Sequence, residues 1–200
     1  MRRFDLQLLV LCGALPCLLL AGCGDAPVEA PTSFGKWNCS DGTFECDYPE
    51  NWESSGGGKK VAWAKFLSGP AMISVKGDTA GSLMAEPGIA AGADDTLGPQ
   101  LHPAHKLHVD YYRKFAEEEF DGYAEVGNPA VHDCPLGPAR LSEFTYSTAF
   151  GTGMHGYRGT ILGKDKAVLV YCVCPESDWA TLKPAFDQVL ASFDRGMAEL

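Results

Sequence analysis

The sequence predicts an α+β fold, an antiparallel sheet packed by helices. Three observations predict it. Four strand-like stretches follow one another between residues 124 and 174, and the turns between the last three are glycine-rich. Apolar residues recur at helical spacing over 104–120 and again over 178–193. A further strand pair, 59–67 and 71–76, is split by Ser68-Gly69-Pro70, which reads as a hairpin turn. Helices packed against an antiparallel sheet are the layer arrangement that buries such faces.

The elements follow in order. Residues 24–35 hold Pro27, Pro31 and many small side chains, which build no core and read as a flexible tether. Thr43–Tyr48 alternates and ends at Pro49, giving a first strand. The hairpin 59–76 comes next. Residues 77–103 are rich in Gly, Ala and Pro and show little periodicity, so they read as a long loop. A helix is expected from about Ala104 to Phe120, with Pro103 near its start, Leu107, Tyr111 and Phe115 facing inward, and Asp121-Gly122 at its end. The strands Ala124–Val131, Ala139–Thr148, His155–Leu162 and Lys166–Cys174 follow. The closing helix runs from about Asp178 to Phe193 with the stripe Trp179, Leu182, Phe186, Val189/Leu190 and Phe193. Pro184 inside that stripe implies a kink, or a start near Lys183.

The N-terminus carries the strongest functional signal. Met1-Arg2-Arg3 is basic, residues 6–21 are apolar, and small residues precede Cys23. This is the layout of a secretory signal. The apolar run is short for a spanning helix, which needs about 20 residues. Leu20-Ala21-Gly22-Cys23 resembles the lipobox of bacterial lipoproteins. That resemblance implies that residues 1–22 are a signal peptide. It also implies that Cys23 carries a thioether-linked diacylglycerol and becomes the mature N-terminus. The domain plan is then leader 1–22, lipidated N-terminus and flexible tether 23–35, and one α+β domain over 36–200. Such a protein sits on the periplasmic side of a bacterial envelope. Gly24 at the next position leaves inner and outer membrane open.

Charge agrees with an anchor of this kind. The full chain is −10, the leader with Arg2, Arg3 and Asp5 is +1, and the mature part is therefore −11. Nucleic acid and anionic bilayers repel such a chain, so no nucleic-acid partner is expected. The acyl chains must hold it to the membrane, at roughly 0.8 kcal/mol per buried CH₂.

Five cysteines survive in the mature part: Cys39, Cys46, Cys134, Cys172 and Cys174. An oxidising compartment makes each a disulfide candidate, with at least one left over. Asp41-Gly42 is a turn signal. A tight turn there sets Cys39 opposite Phe44 and Cys46 opposite Trp37, with the sulfurs diagonal. A looser four-residue turn sets the two cysteines face to face. Cys172 and Cys174 share one strand face, so each is expected to meet a partner elsewhere, such as Cys134.

A second resemblance covers residues 37–194. Tyr48-Pro49-x-x-Trp52 after the first strand resembles the opening of PsbP-like domains. The three-strand meander, Trp179, Pro184-Ala185-Phe186 and Ala191-Ser192-Phe193 are similar to that superfamily's closing helix. The resemblance implies an α/β/α sandwich around an antiparallel sheet. It implies packing positions and no catalytic residues, because its members are mostly non-enzymatic accessory proteins and lipoproteins.

The remaining motifs carry little chemistry. Gly151-Thr152-Gly153-Met154-His155-Gly156 matches G-x-G-x-x-G, but a strand follows where a dinucleotide site needs a helix. Gly56-Gly57-Gly58-Lys59-Lys60 lacks the Lys-[Ser/Thr] pair of a phosphate loop and reads as a hairpin or edge loop. Cys172-Val173-Cys174 has neither structural-zinc nor thiol-oxidoreductase spacing. Glu117-Glu118-Glu119 reads as a solvated face. There is no G-x-S-x-G elbow and no His-Glu-x-x-His. The sharpest candidate is His102, His105 and His108, recurring every three residues near Asp94, Asp95 and Asp110. Such a group would suit Zn²⁺, Ni²⁺ or Cu²⁺. The sequence thus reads as a lipid-anchored, non-enzymatic binding or accessory module with an unidentified protein or small-molecule partner and no cofactor. The alternative is a metal-binding lipoprotein using the histidines.

Overall fold

The computed structural model describes residues 26–58, 61–78, 112–163 and 166–198. Strands β1 (Phe34–Asn38) and β2 (Glu45–Pro49) form a separate hairpin. The main sheet holds β3 (Glu53–Gly57), β4 (Trp63–Ser68), β5 (Ala71–Asp78), β6 (Ala124–Glu125), β7 (Ala130–Cys134), β8 (Gly137–Ser147), β9 (Gly153–Leu162) and β10 (Ala167–Pro175). Its order is β3-β4-β5-β10-β9-β8, with β6 and β7 both paired to the outer side of β8, and every pairing is antiparallel. Residues 112–119 form helix α1. A 3-10 turn, Glu176–Asp178, leads into helix α2, Trp179–Ala191.

The central strand β10 explains the layers. Residues 167–174 are all buried, so this strand is covered on both faces and reads as a continuous apolar run. Val168, Val170, Cys172 and Cys174 face α2 and the β1–β2 hairpin, against Leu182, Phe186, Val189, Leu190 and Phe193. Leu169, Tyr171 and Val173 face α1, against Ala116, Tyr112 and Phe120. The fold is therefore α+β with helices on both sides of an antiparallel sheet. Gly156 is required where β9 passes β10, because an added Cβ would stand 2.3 Å from the Cys172 carbonyl oxygen.

Strand register defines two poles. The β4–β5 turn, the β8–β9 turn and the 3-10 turn lie at one end, since Met72 pairs Val173 and Pro175 pairs Met154. The β9–β10 and β7–β8 turns lie at the other, since Ala167 pairs both Asp78 and Leu162.

Several expectations are corrected. The strand expected over 124–131 is two short strands, broken at Gly127-Asn128-Pro129, where Gly127 has φ +73. Strand β3 (ESSGG) lies outside the expected set; it is an edge strand joined by backbone pairing to β4. Helix α2 starts at Trp179 rather than near Lys183, and Pro184 lies inside it. The inward stripe of α1 is Tyr112, Ala116 and Phe120, while Phe115 is 45% exposed. Leu107 and Tyr111 lie outside the described residues.

Residues 26–33 are not a free tether. The Trp52 indole Nε1 donates to the Glu29 carbonyl at 2.9 Å, and the Glu29 N–H donates to Ser68 Oγ at 2.8 Å. Asn51 Nδ2 donates to the Ala30 carbonyl, and Val28 packs against the core. A Cβ on Gly69 would stand 2.2 Å from the Ala26 carbonyl oxygen, so Ala26 sits on the β4–β5 turn. A chain with Pro27 and Pro31 is cheap to order, and its carbonyls meet Trp52 and Asn51 as donors.

None of the five described cysteines forms a disulfide. The hairpin takes the tight register: Trp37 pairs Cys46, and the Cys39 N–H donates to the Phe44 carbonyl at 3.0 Å. The two sulfurs are thus diagonal. Cys134 pairs Gly137, two residues below Ala139, whose row runs through Ile161 to Val168. Cys172 is four residues further up, so the offset is roughly 20 Å along the strands. A disulfide spans Cα atoms within about 7 Å, so Cys134 is out of reach of Cys172 and Cys174.

Candidate functional site

Two constructions on the domain concentrate chemistry. The first is a cleft of about 420 Å³ between α1 and the β5–β10 part of the sheet, within the range of small-molecule sites. Tyr112, Phe115 and Glu119 come from α1, and Lys76, Leu169 and Tyr171 from the sheet. Helical spacing puts Tyr112, Phe115 and Glu119 on one side of α1. Strand register puts Lys76 beside Leu169 and Ser74 beside Tyr171. The cleft thus offers aromatic walls, one cation and one carboxylate. Burial pushes the Tyr171 phenol up to about 12, against the pull of Arg158, so it stays a hydrogen-bond donor at neutral pH.

The sheet beside that cleft is polar inside. Arg158 is 1% exposed and donates from Nη2 to Glu125 Oε1 at 2.9 Å and to Ser142 Oγ at 3.0 Å. Tyr123 donates its hydroxyl to the same Glu125 oxygen at 3.0 Å. Arg140, equally buried, donates from Nη1 to the Ala139 carbonyl at 2.8 Å. A buried guanidinium needs such partners, because desolvation costs several kcal/mol per ion.

The second construction is centred on His155, at the pole that holds the 3-10 turn. Its ring stacks on Trp179 at 4.0 Å with 10° between planes. Nε2 is 2.8 Å from Glu143 Oε1 in a hydrogen bond. Nδ1 is 2.9 Å from Glu176 Oε2, without hydrogen-bond alignment. Tyr157 meets Trp179 edge-on, and Lys183, paired with Asp187 at 2.8 Å, lies over the Tyr157 ring. The cluster joins β8, β9, the 3-10 turn and α2. Cys174 is His155's neighbour on β10, but burial raises its thiol to about 12, with Asp178 and Glu176 adding to the effect. That is the reverse of the depressed pKa that a cysteine nucleophile requires.

The residues singled out from sequence are distributed unevenly. Leu20, Ala21, Gly22 and Cys23 lie outside the described residues, as do His102, His105 and His108. Among the described residues no group of three or more His, Cys, Asp or Glu side chains could hold a metal ion. Burial raises the Cys46 and Cys172 thiols far above their usual value, and Cys39 and Cys134 also titrate high. Gly151 is in a hairpin turn at φ +81 and Gly153 and Gly156 are in β9, so the G-x-G-x-x-G match is a hairpin. Glu117, Glu118 and Glu119 are exposed. Sequence reasoning misses the His155 cluster, because its members come from four elements and share no spacing. Among the described residues no helix is long and apolar enough to cross a membrane.

No family model matches the chain, and no curated protein matches its sequence. Solved structures do resemble it. The solution structure of cyanobacterial PsbP (CyanoP) from Synechocystis sp. PCC 6803 matches with a TM-score of 0.54 at 16% identity, over 88% of this chain and 98% of that one. LpqN, a Mycobacterium tuberculosis protein involved in cell envelope biogenesis, matches at 0.47 and 11% identity, over 82% and 92%. The CyanoP likeness shows the fold: PsbP-like, as the residues around Tyr48-Pro49 and along α2 imply. Those residues are indeed packing positions, with Tyr48 stacked on Phe66 and Trp52 edge-on to Phe186.

Proposed function

We propose that this chain is a lipid-anchored protein of the bacterial envelope whose PsbP-like domain is a non-enzymatic binding or accessory module. The observation that carries the reading is the N-terminal sequence Leu20-Ala21-Gly22-Cys23, followed within three residues by chain already held on the domain at Ala26 and Glu29. In this reading residues 1–22 are removed and Cys23 is acylated. The mature charge of −11 leaves the acyl chains as the means of attachment. The α1 cleft, with Tyr112, Tyr171 and Lys76, is where a small ligand or an extended segment of a partner would sit. A raised Cys174 thiol beside an engaged His155 supports binding rather than nucleophilic chemistry.

Cys23→Ser is the test. Expressed in a lipoprotein-competent bacterium, the wild type takes up radioactive palmitate and is recovered with membranes. The variant is expected to lose the label entirely and to keep its leader. Label retained on Cys23→Ser refutes the anchoring. Crosslinking and pull-down of the lipidated protein from its own envelope, compared with a Tyr171→Ala variant, tests the cleft. Equal recovery of partners by both proteins removes the cleft from the reading.

A further inference from the structure

Phe150 stands at the tip of the β8–β9 hairpin and is 97% exposed. The tip is ordered, not frayed. The Gly151 N–H donates to the Thr148 carbonyl at 2.8 Å, the Thr148 N–H donates to the Thr152 carbonyl at 2.9 Å, and Gly151 takes φ +81. A turn of this kind favours Asn, Asp, Ser or Gly, which hydrate well. A bare phenylalanine there gains nothing from the fold. The surrounding run Ser147-Thr148-Ala149-Phe150-Gly151-Thr152-Gly153 holds no charge, in a chain that is otherwise strongly acidic.

The position of the tip gives it meaning. Pro175 at the end of β10 pairs Met154, and the hairpin continues past it through Ser147–Gly153 to the turn. Phe150 therefore projects roughly 10 Å beyond the end of the central strand. The N-terminal strap leaves the domain at the same pole, since Ala26 lies on the β4–β5 turn at Gly69. Only Cys23, Gly24 and Asp25 precede it in the mature chain, a reach of roughly 10 Å at full extension. The strap and the tip are separated by about three strand spacings, roughly 15 Å across the sheet. An acyl-bearing Cys23 and Phe150 can thus meet one plane together.

We propose that the β8–β9 tip is a second membrane contact, with Phe150 entering the interfacial layer of the bilayer that holds the Cys23 lipid. The inference rests on the anchoring reading and deepens it. Lipid and aromatic tip together fix which pole faces the membrane. The α1 cleft is then presented on the side of a domain held upright, not swinging on a tether. The occupant is a lipid surface rather than nucleic acid or an acidic partner, because the tip offers an aromatic ring and no cation.

The experiment uses the full-length lipidated protein, purified from membranes and reconstituted in phosphatidylcholine vesicles with or without bromine on the acyl chains. Phe150→Trp adds one indole at a site where the fold imposes no constraint. The difference spectrum against the wild type isolates it from Trp37, Trp52, Trp63 and Trp179. Trp63, 42% exposed at the opposite pole, is an internal control. The expected result is that brominated lipid removes about half or more of the added indole's emission, as for a group in the headgroup–acyl boundary. Mass analysis of the N-terminal peptide and vesicle flotation report the anchor separately. A floating, lipidated Phe150→Trp protein whose added indole is unquenched overturns the second contact and leaves the anchor standing. Unquenched emission that shifts to the blue with rising protein density assigns the tip to a second copy and overturns it likewise. Absence of lipid on Cys23 overturns the anchor, and this inference falls with it.

Discussion

The two faces of the sheet are built from different materials. Away from the His155 pole the α2 face is dry: Phe44, Phe66, Ile73, Val170, Cys172, Leu182, Phe186 and Phe193 are all essentially inaccessible to water. The α1 face buries Arg140, Arg158, Ser142 and Thr160 among its aromatic residues and opens into the cleft. A hydrophobic face gains about 25 cal/mol per Å² removed from water and tolerates no gap. A face with buried guanidinium groups gains less, because each ion must recover its hydration through partners. Stability and specificity therefore reside on opposite faces. The α2 face holds the fold together, and the α1 face keeps polar groups in fixed directions beside a place where a ligand fits.

The strongest way to break that contrast is on the dry side. Phe186 is fully buried and meets both Trp52 and Trp179. Phe186→Ala is expected to cost about 3–5 kcal/mol, read from urea unfolding followed by tryptophan fluorescence. A loss below about 1 kcal/mol would mean that α2 is not the main source of stability. Next comes the wet side. Glu125→Gln keeps an oxygen for Arg158 and Tyr123 but removes the charge that balances a guanidinium 1% exposed. The expected cost is about 1–3 kcal/mol, with the near-ultraviolet dichroism of the α1-side tyrosines altered. An unchanged protein would show that Glu125 is not what satisfies Arg158.

The same contrast marks what could be read in the sequence. The α2 stripe Trp179, Leu182, Phe186, Val189, Leu190 and Phe193 is legible because a dry face writes a strict helical period. The strands β8 to β10 are legible because glycine-rich turns separate them and β10 is a continuous apolar run. Strand β3 is not, because Glu53-Ser54-Ser55-Gly56-Gly57 pairs through backbone alone and carries no apolar signal. The α1 stripe shifts by one residue from the expected Phe115, since a polar face tolerates an aromatic at its rim. The strap hides for a similar reason: Ala26–Thr32 bonds mainly through its backbone, and backbone carbonyls leave no mark in composition. The His155 cluster and the cleft assemble side chains far apart in sequence, so no local spacing announces them. The signal for the tip is present, as a lone phenylalanine inside a Gly/Thr turn.

The smallest effect concerns alkaline pH and separates the faces by chemistry. Burial raises the thiols of Cys46 and Cys172 on the dry side above the usual 9.0. It raises the phenols of Tyr123, Tyr146 and Tyr171 on the other side above the usual 10.0. In each case the folded state holds its proton more tightly than the unfolded chain. Their contribution to stability is therefore complete below the unfolded value and is lost as pH rises from there through the folded value. The protein is expected to hold a flat melting temperature up to about pH 9 and to lose stability in two stages, thiols first and phenols about one unit later. Cys172→Ala trims a small buried group at a cost of about 1 kcal/mol at neutral pH. Above pH 9 the variant should fall less steeply than the wild type and converge on it, while the later, phenolic stage remains. Parallel curves for the two proteins from about pH 8 to 11 would show that the Cys172 thiol does not couple folding to pH. The same scan with iodoacetamide adds a direct reading, since Cys172 and Cys46 should alkylate only as fast as the domain unfolds, and Cys134, held at the margin of the core, should react first.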